Sequence, residues 1–314
     1  MKEISIIIPI YNEEANIPML FERLSKVVAQ LNVEAEYIFI NDGSIDKSMV
    51  LINELSRQDP AVRYIDFSRN FGHQVAVTAG IDHSSGKAVV IIDADLQDPP
   101  ELILDLYKKW KEGYEVVYAR RGARQGEGFL KKFTAKMFYR ILKKITSINI
   151  PVDTGDFRLI DRKMVNVLKQ MPEQQKFLRG QISWIGFRQT YVEYDRDPRY
   201  AGKTGYTYKK MIRFALDGIT SYSNLPLKFA TLTGFVVSGL AFIMILYALY
   251  SRFISKNYVA GWTSLMLVIL FIGGVQLISI GIIGEYISRL SDNVRKRPLY
   301  IVNETNVEKK SDEE

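Results

Sequence analysis

Two carboxylates one residue apart, Asp93 and Asp95, follow directly on the apolar run Ala88-Val89-Val90-Ile91-Ile92. Such a run reads as a buried strand, and it would deliver both side chains to the rim of a sheet as a fixed pair. Two hard oxygen donors without His or Cys beside them suit Mg2+ or Mn2+ shared with phosphate oxygens. A diphosphate bridged by such an ion becomes a better leaving group, because the ion takes up charge as the bond breaks. Two further apolar runs also end in polar clusters, Pro9-Ile10-Tyr11-Asn12-Glu13-Glu14 and Asn41-Asp42-Gly43-Ser44. Each alone is an ordinary turn sequence. Three of them at strand ends of one domain point to a ligand site. A second Asp-x-Asp, Asp195-Arg196-Asp197, ends no apolar strand and lies among arginines, so it reads as a solvated loop.

Composition removes most other chemistry. The chain of 314 residues has no cysteine, which excludes disulfides, thiolate metal sites and cysteine nucleophiles. Its only histidines are His73 and His83, and no G-x-S-x-G nucleophile elbow accompanies them. Carboxylates, a bound ion and cationic groups must carry any reaction.

The elements that position these residues alternate. Ile4–Ile10, Tyr37–Ile40, Arg63–Phe67, Ala88–Ile92 and Val116–Ala119 read as strands, short and rich in Ile and Val. Glu13–Leu31, Asp46–Arg57, Gln74–His83 and Pro100–Lys111 read as helices, with apolar residues three and four apart. Strand and helix in alternation argue an α/β domain, a mostly parallel sheet with helices on both faces. Such sheets bind ligands beyond the carboxyl ends of their strands, where the three polar clusters fall.

The rest of the chain differs in kind. No charged residue occurs from Phe229 to Ser251 or from Asn257 to Gly284, 23 and 28 positions respectively. Each stretch exceeds the roughly 20 residues that cross a bilayer core. Tyr247, Tyr250, Tyr258 and Trp262 sit at their mutual ends, as interfacial anchors do. Two membrane spans are therefore expected. Lys209, Lys210, Arg213 and Lys228 precede the pair and Arg289, Arg295, Lys296 and Arg297 follow it, against Arg252 and Lys256 in the turn. The positive-inside bias puts both termini in the cytoplasm. Gly274, Gly281, Gly284 and Ser279 permit close helix packing, either within the hairpin or in a homo-oligomer.

The net charge of +7 is also local. Twelve Lys/Arg and three Asp/Glu lie between Tyr107 and Lys144. Within it, Phe129, Leu130, Phe133, Met137, Phe138, Ile141, Leu142 and Ile145 recur at helical spacing, with Lys131, Lys132, Lys136, Arg140, Lys143 and Lys144 on the other face. A basic, aromatic-bearing amphipathic helix of this sort, about 129–146, suits an anionic membrane lipid surface. A core helix with a solvated basic face is the plainer alternative. No other feature supports nucleic acid as the partner. The expected organisation is a catalytic domain over 1–205, a juxtamembrane helix over 206–224, a transmembrane hairpin over 225–288 and a C-terminal tail over 289–314.

Together with Arg69-Asn70-Phe71-Gly72 and the run Asp93-Ala94-Asp95-Leu96-Gln97-Asp98-Pro99-Pro100, the clusters resemble glycosyltransferase family 2 and its GT-A fold. The resemblance is nearest to the bacterial polyprenyl-phosphate glycosyltransferases, relatives of dolichyl-phosphate mannose synthase, and it covers nearly the whole chain. It implies inverting transfer of a sugar from a nucleotide sugar to undecaprenyl or another polyprenyl phosphate, in a bacterial plasma membrane. UDP-glucose is the donor it favours, with GDP-mannose, UDP-N-acetylglucosamine and an aminoarabinose donor as rivals. By the same resemblance Pro9, Tyr11, Glu13 and Asp42 hold the base and ribose. Asp93 and Asp95 bind metal and diphosphate, with Gln97 as a further ligand. Asp156, in Asp153-Thr154-Gly155-Asp156-Phe157-Arg158, falls where the family places a catalytic carboxylate or its near neighbour, although the mannose synthases read Ser-Gly-Phe-Arg there. Arg120, Arg121, Arg158, Arg199 and Lys203 are the cations expected to meet the donor and acceptor phosphates. No Gln-x-x-Arg-Trp motif of the processive synthases occurs, which favours a single transfer. Two rivals are a membrane-anchored nucleotidyltransferase, for which the Gly-rich phosphate loop is missing, and a nucleotide-sugar-binding scaffold without chemistry.

Overall fold

The computed structural model describes residues 2–122, 154–194, 225–250, 254 and 261–307. These fall into two compact units, one built from 2–122, 154–194 and 297–307, the other from 225–250 and 261–296.

The first unit is a mixed sheet covered on both faces. Its opening half alternates β1 (Ile4–Ile10), α1 (Ile17–Leu31), β2 (Ala35–Asn41), α2 (Ser48–Gln58), β3 (Val62–Phe67), α3 (His73–His83) and β4 (Ala88–Ile91). Then follow α4 (Ile103–Lys111), β5 (Val116–Arg121), β6 (Thr154–Asp161), α5 (Arg162–Lys169), α6 (Leu178–Ile185) and β7 (Gln189–Tyr194). The last strand, β8 (Val302–Thr305), comes from beyond the second unit. The strand order is β7-β5-β6-β4-β1-β2-β3-β8, with β6 and β8 antiparallel to their neighbours and every other pairing parallel.

Alternation along β1 explains the layers. Ile4, Ile6, Ile8 and Ile10 pack with Leu20, Leu24 and Leu106 on one face, while Ile7 packs with Ala76, Val77 and Ile182 on the other. Each fully buried Ile contributes about 1.5–3 kcal/mol of transfer free energy, so a slip of β1 by one residue is strongly disfavoured. Helix α3 lies close on the sheet because residue 80 is glycine; a methyl there would run into Ile7 and Ile40. That close approach sets the position of its first residue, His73, at the rim.

The five expected strands and the four helices expected between residues 13 and 111 form; three of these helices start later than expected, and the one ending at His83 starts a residue earlier, at His73. Helix α1 begins at Ile17, with Pro18 in its first turn, because residues 11–16 are used as a loop. Helix α2 begins at Ser48, whose N–H donates to the Asp46 side chain. Strands β6, β7 and β8 were not legible as strands. Residues expected to form only a C-terminal tail divide: the preceding helix runs on through Arg295, and Val302–Thr305 pairs antiparallel with β3.

The second unit is a pair of helices, α7 (Leu225–Tyr250) and α8 (Trp262–Arg295). Both are long and apolar enough to cross a membrane. At 1.5 Å per residue, 26 residues of α7 span about 39 Å, more than a bilayer core of about 30 Å. Phe229, Phe235, Phe242, Ile243, Leu277 and Ile278 are exposed, an outward apolar surface that suits a membrane span.

Candidate active site

In the strand order, the chain steps from β1 outward to β2 and β3 on one side and returns to β4 on the other, so the β1/β4 boundary is a topological switch point. Open α/β sheets bind ligands in the crevice at that point. Pro9 is compatible with an inner strand because β4 pairs only as far as Ile7↔Ile91, so the missing N–H falls where the ladder has ended.

The loops after β1 and β2 are laced together. The Asn12 and Glu13 N–H groups donate to Ser44 Oγ and Ser48 Oγ, both at 3.0 Å, and the Ile45 N–H returns to Asn12 Oδ1 at 2.9 Å. The Lys47 N–H donates to Glu14 Oε2 at 2.8 Å. Asn16 Nδ2 donates to Glu13 Oε2. Tyr11 is half exposed, free to meet a planar ligand. Asp42 is buried, and its carboxylate accepts the N–H groups of Phe71 at 2.7 Å and Gly72 at 3.0 Å. Burial pushes this carboxyl up, opposed by those amides. Asp42 therefore clamps the Arg69-Asn70-Phe71-Gly72 loop, a task its sequence position did not reveal. Gly43 completes the clamp, since at φ +69° a Cβ would stand 2.5 Å from the backbone of Arg69 and Asn70.

Beyond β4, Asp93 and Asp95 stand at the rim as expected. Asp93 Oδ1 is buried without a hydrogen-bond partner, and Asp95 Oδ1 accepts the Gln97 N–H at 3.2 Å. Leu96 between them takes φ +57°, a tight turn. No group of three His, Cys, Asp or Glu side chains among the described residues could hold an ion. Two carboxylates on one turn, one with an oxygen that makes no hydrogen bond and is approached by His73 at 3.5 Å, fit a divalent ion whose other ligands are phosphate oxygens and water. Asp98 is fully buried and accepts the Tyr194 hydroxyl, which fixes the end of β7 to this loop.

Asp156 joins the pair because β6 runs antiparallel to β4. The register Ile91↔Arg158, continued by two residues, sets Asp156 opposite Asp93. Its Oδ1 accepts from Arg158 Nη2 at 3.2 Å and Arg179 Nε at 3.0 Å. Its Oδ2 lies 3.2 Å from His73 Nε2 and 3.4 Å from Gln74 Nε2. His73 Nε2 is also 3.5 Å from Asp93 Oδ1, so it bridges the two carboxylates. Burial alone would pull the His73 imidazole down, yet Asp93 and Asp156 together push it up to about 9. Burial raises Asp93 to about 6, with His73 opposing and Asp156, Asp98 and Asp95 adding to the rise. Asp156 goes the other way: burial is outweighed by Arg179, His73 and Arg158, which hold it well below the carboxylate range.

The expected cations divide. Arg158 is fully buried, donating to the Gly155 and Asp156 carbonyls, so it serves as a counter-charge inside the strand. Arg120 pairs with Glu193 and stacks 3.7 Å from the Tyr191 ring centroid. Arg121 ends β5. Arg199, Lys203, the basic segment 129–146 and the juxtamembrane stretch 206–224 lie outside the described residues. Sequence reasoning missed His73, Gln74 and Arg179. His73 directly follows the Arg69–Gly72 motif and could have been found there; Arg179 carries no local signal.

The chain matches the description "Glycosyl transferase family 2" over residues 5–168 and "GtrB C-terminal hairpin" over residues 225–290. It is 52% identical to an uncharacterized glycosyltransferase of Bacillus subtilis, covering 95% of this chain and 92% of that one. It is 43% identical to a prophage bactoprenol glucosyl transferase homolog of Escherichia coli, over 96% of this chain and 98% of that one. A prophage-derived bactoprenol glucosyl transferase of Shigella flexneri is 42% identical, over 96% and 97%. The mixed sheet is that of a GT-A-like glycosyltransferase domain. With a match across most of that domain and relatives aligned nearly end to end, the chain belongs to glycosyltransferase family 2.

Proposed function

We propose that this protein transfers glucose from UDP-glucose to undecaprenyl or another polyprenyl phosphate at the cytoplasmic face of a bacterial plasma membrane, with inversion. The observation that carries the reading is one chain holding both the paired-aspartate crevice and a hairpin of two membrane-length helices, and 96% of that chain aligns with relatives named as a bactoprenol glucosyl transferase or its homolog. A lipid acceptor needs an enzyme held at the membrane. Return of β8 to the catalytic sheet supports the orientation, since both ends of the hairpin then lead to one folded unit. The cationic flanks of that hairpin favour the cytoplasm. The basic segment 129–146 fits an interfacial helix against anionic lipid.

In this reading Tyr11, Glu13 and the Asn41–Ser44 loop hold the nucleotide, and Asp93 and Asp95, with Gln97, hold Mg2+ or Mn2+ against the diphosphate. When bound, that ion supplies charge neutralisation at the leaving UDP. An acceptor oxygen of the lipid phosphate attacks the anomeric carbon as the bond to the β-phosphate oxygen breaks. A phosphate monoester has a second pKa near 6, so at neutral pH it is already an anion and needs alignment more than a base. Asp156, held ionised and bonded at both oxygens, orients His73 and Arg179 beside the crevice.

Purified full-length protein, incubated with undecaprenyl phosphate and labelled UDP-glucose, GDP-mannose, UDP-N-acetylglucosamine and an aminoarabinose donor, tests the reading. Glucose should enter the lipid fraction, and EDTA or Asp95→Ala should abolish its entry. Transfer of another sugar overturns the donor. Transfer of none favours a binding scaffold.

A further inference from the structure

Strand β8 is formed by chain that has already passed through the second long helix, and it reaches back toward the nucleotide loops. Its register with β3 is irregular: Asp66 pairs with Glu304 and Phe67 with Val302, leaving Asn303 as the extra residue. A bulge of this kind re-aims a side chain. Asn303 Nδ2 donates to Asp66 Oδ2 at 2.8 Å. The other oxygen of this buried carboxylate accepts Asn41 Nδ2 at 2.7 Å. Asn41 Oδ1 in turn accepts the Ser44 N–H at 3.2 Å, and Ser44 Oγ accepts the Asn12 N–H at 3.0 Å. Asn303 is thus linked, through Asp66 and Asn41, to both loops that border the crevice.

A second tie runs in parallel. Tyr300 stacks on Phe67 with centroids 5.0 Å apart, and Phe67 meets Phe71 edge-on at 5.6 Å. The Phe71 N–H is one of the two that hold Asp42. The Ser68 N–H donates to the Ile301 carbonyl at 3.0 Å, which pins the strap between these contacts. Both oxygens of Asp66 are held by neutral amides, so losing Asn303 leaves a buried acceptor unsatisfied and the carboxylate that holds Asn41 fixed from one side only.

We infer that residues 300–307 are a strap belonging to the donor site, with Asn303 a positioning residue that sets affinity for the nucleoside diphosphate through Asp66 and Asn41. The nucleotide site is complete only once the chain has returned from the hairpin. This rests on the Asn41–Ser44 loop being the donor loop.

The test uses the full chain in detergent with three variants: Asn303→Ala, Asp42→Asn and Tyr64→Phe. Tyr64→Phe removes a 2.7 Å bond to Glu304 on the same strand without touching the relay. UDP affinity, donor KM, kcat and the unfolding midpoint are measured for each. Asn303→Ala should raise the donor KM and the UDP Kd by about fivefold while leaving kcat at saturating donor unchanged. Tyr64→Phe should lower the midpoint without moving donor KM. A UDP affinity in Asn303→Ala that is unchanged, or changed only as much as in Tyr64→Phe, overturns the strap. If Asp42→Asn weakens UDP binding while Asn303→Ala does not, the strap fails and the donor loop stands. If neither weakens it, the donor loop falls and takes the strap with it.

Discussion

Replacing Asp156 by Asn should unfold the site before it informs on catalysis, and the size of that effect follows from Arg158. The guanidinium is 1% exposed and its Nη2 lies 3.2 Å from Asp156 Oδ1. At that distance and an effective dielectric of about 20, the gross attraction is about 5 kcal/mol. Arg179, a quarter exposed, can turn toward water when the charge is removed, whereas Arg158 cannot. Breaking a buried pair from one side typically costs about 3–5 kcal/mol because the other charge is stranded. Asp156→Asn should therefore lose about 3 kcal/mol, a fall in Tm of about 6–12 °C for a domain of this size. Removing both partners avoids the stranded charge, so Asp156→Asn with Arg158→Met should be more stable than Asp156→Asn alone. The assay is a double-mutant cycle by thermal unfolding of the full chain, with UDP binding followed in parallel. A single variant that melts like wild type, or a double variant that sums the two single losses, refutes the stranded-charge account.

Two further perturbations probe other parts of the unit. Gly43→Ala places a methyl against the Arg69 backbone at a positive φ, and should cost about 1–2 kcal/mol of strain while weakening UDP binding at least about tenfold; wild-type affinity by titration calorimetry would count against the clamp. Glu3 is held at about 2 by hydrogen bonds to Lys111 and Lys87, against an ordinary value of 4.5. A carboxyl lowered on folding stabilises above its unfolded value and loses that contribution as pH falls toward 2. Because both lysines are half exposed, Glu3→Gln should cost no more than about 1 kcal/mol at neutral pH, and denaturant titrations of variant and wild type should converge between pH 4.5 and 2.

What could be read in advance depended on how local its cause was. Strands β1 to β4 announce themselves because each is an apolar run closed by a turn, and the ligand rim follows from their parallel order. Strand β6 carries Asp156 and Arg158 inside an apolar stretch, so its polar members look like interruptions until the pairing with β4 explains them. Strand β8, Val302-Asn303-Glu304-Thr305, has almost no apolar content and exists only because β3 offers it an open edge. The same distinction governs the site. Asp93 and Asp95 share one turn, whereas Gln74 and Arg179 reach Asp156 from 82 and 23 residues away. Only sheet closure joins them. Asp42 shows the converse: its type and place suggest a ligand contact, while its carboxylate closes a neighbouring loop.

The charges around the crevice bear on how two anionic substrates could approach each other there. Asp93, Asp95, Asp98 and Asp156 would by themselves repel both a diphosphate and a lipid phosphate. His73, Arg158 and Arg179 offset them, each in a different way: one buried in the strand, one partly exposed on α6, one bridging at the head of α3. Asp156 touches all three. A base must release its hydrogen-bond partners to accept a proton, and four donors hold this carboxylate. An acceptor that arrives ionised asks for no such release. It asks for cations whose positions do not change as charge moves from one phosphate to the other, since fixed dipoles and charges stabilise a transition state without reorganising. A carboxylate shared among Arg158, Arg179 and His73 provides that fixity, which is why the charge on Asp156, more than its basicity, is the property whose loss should stop transfer.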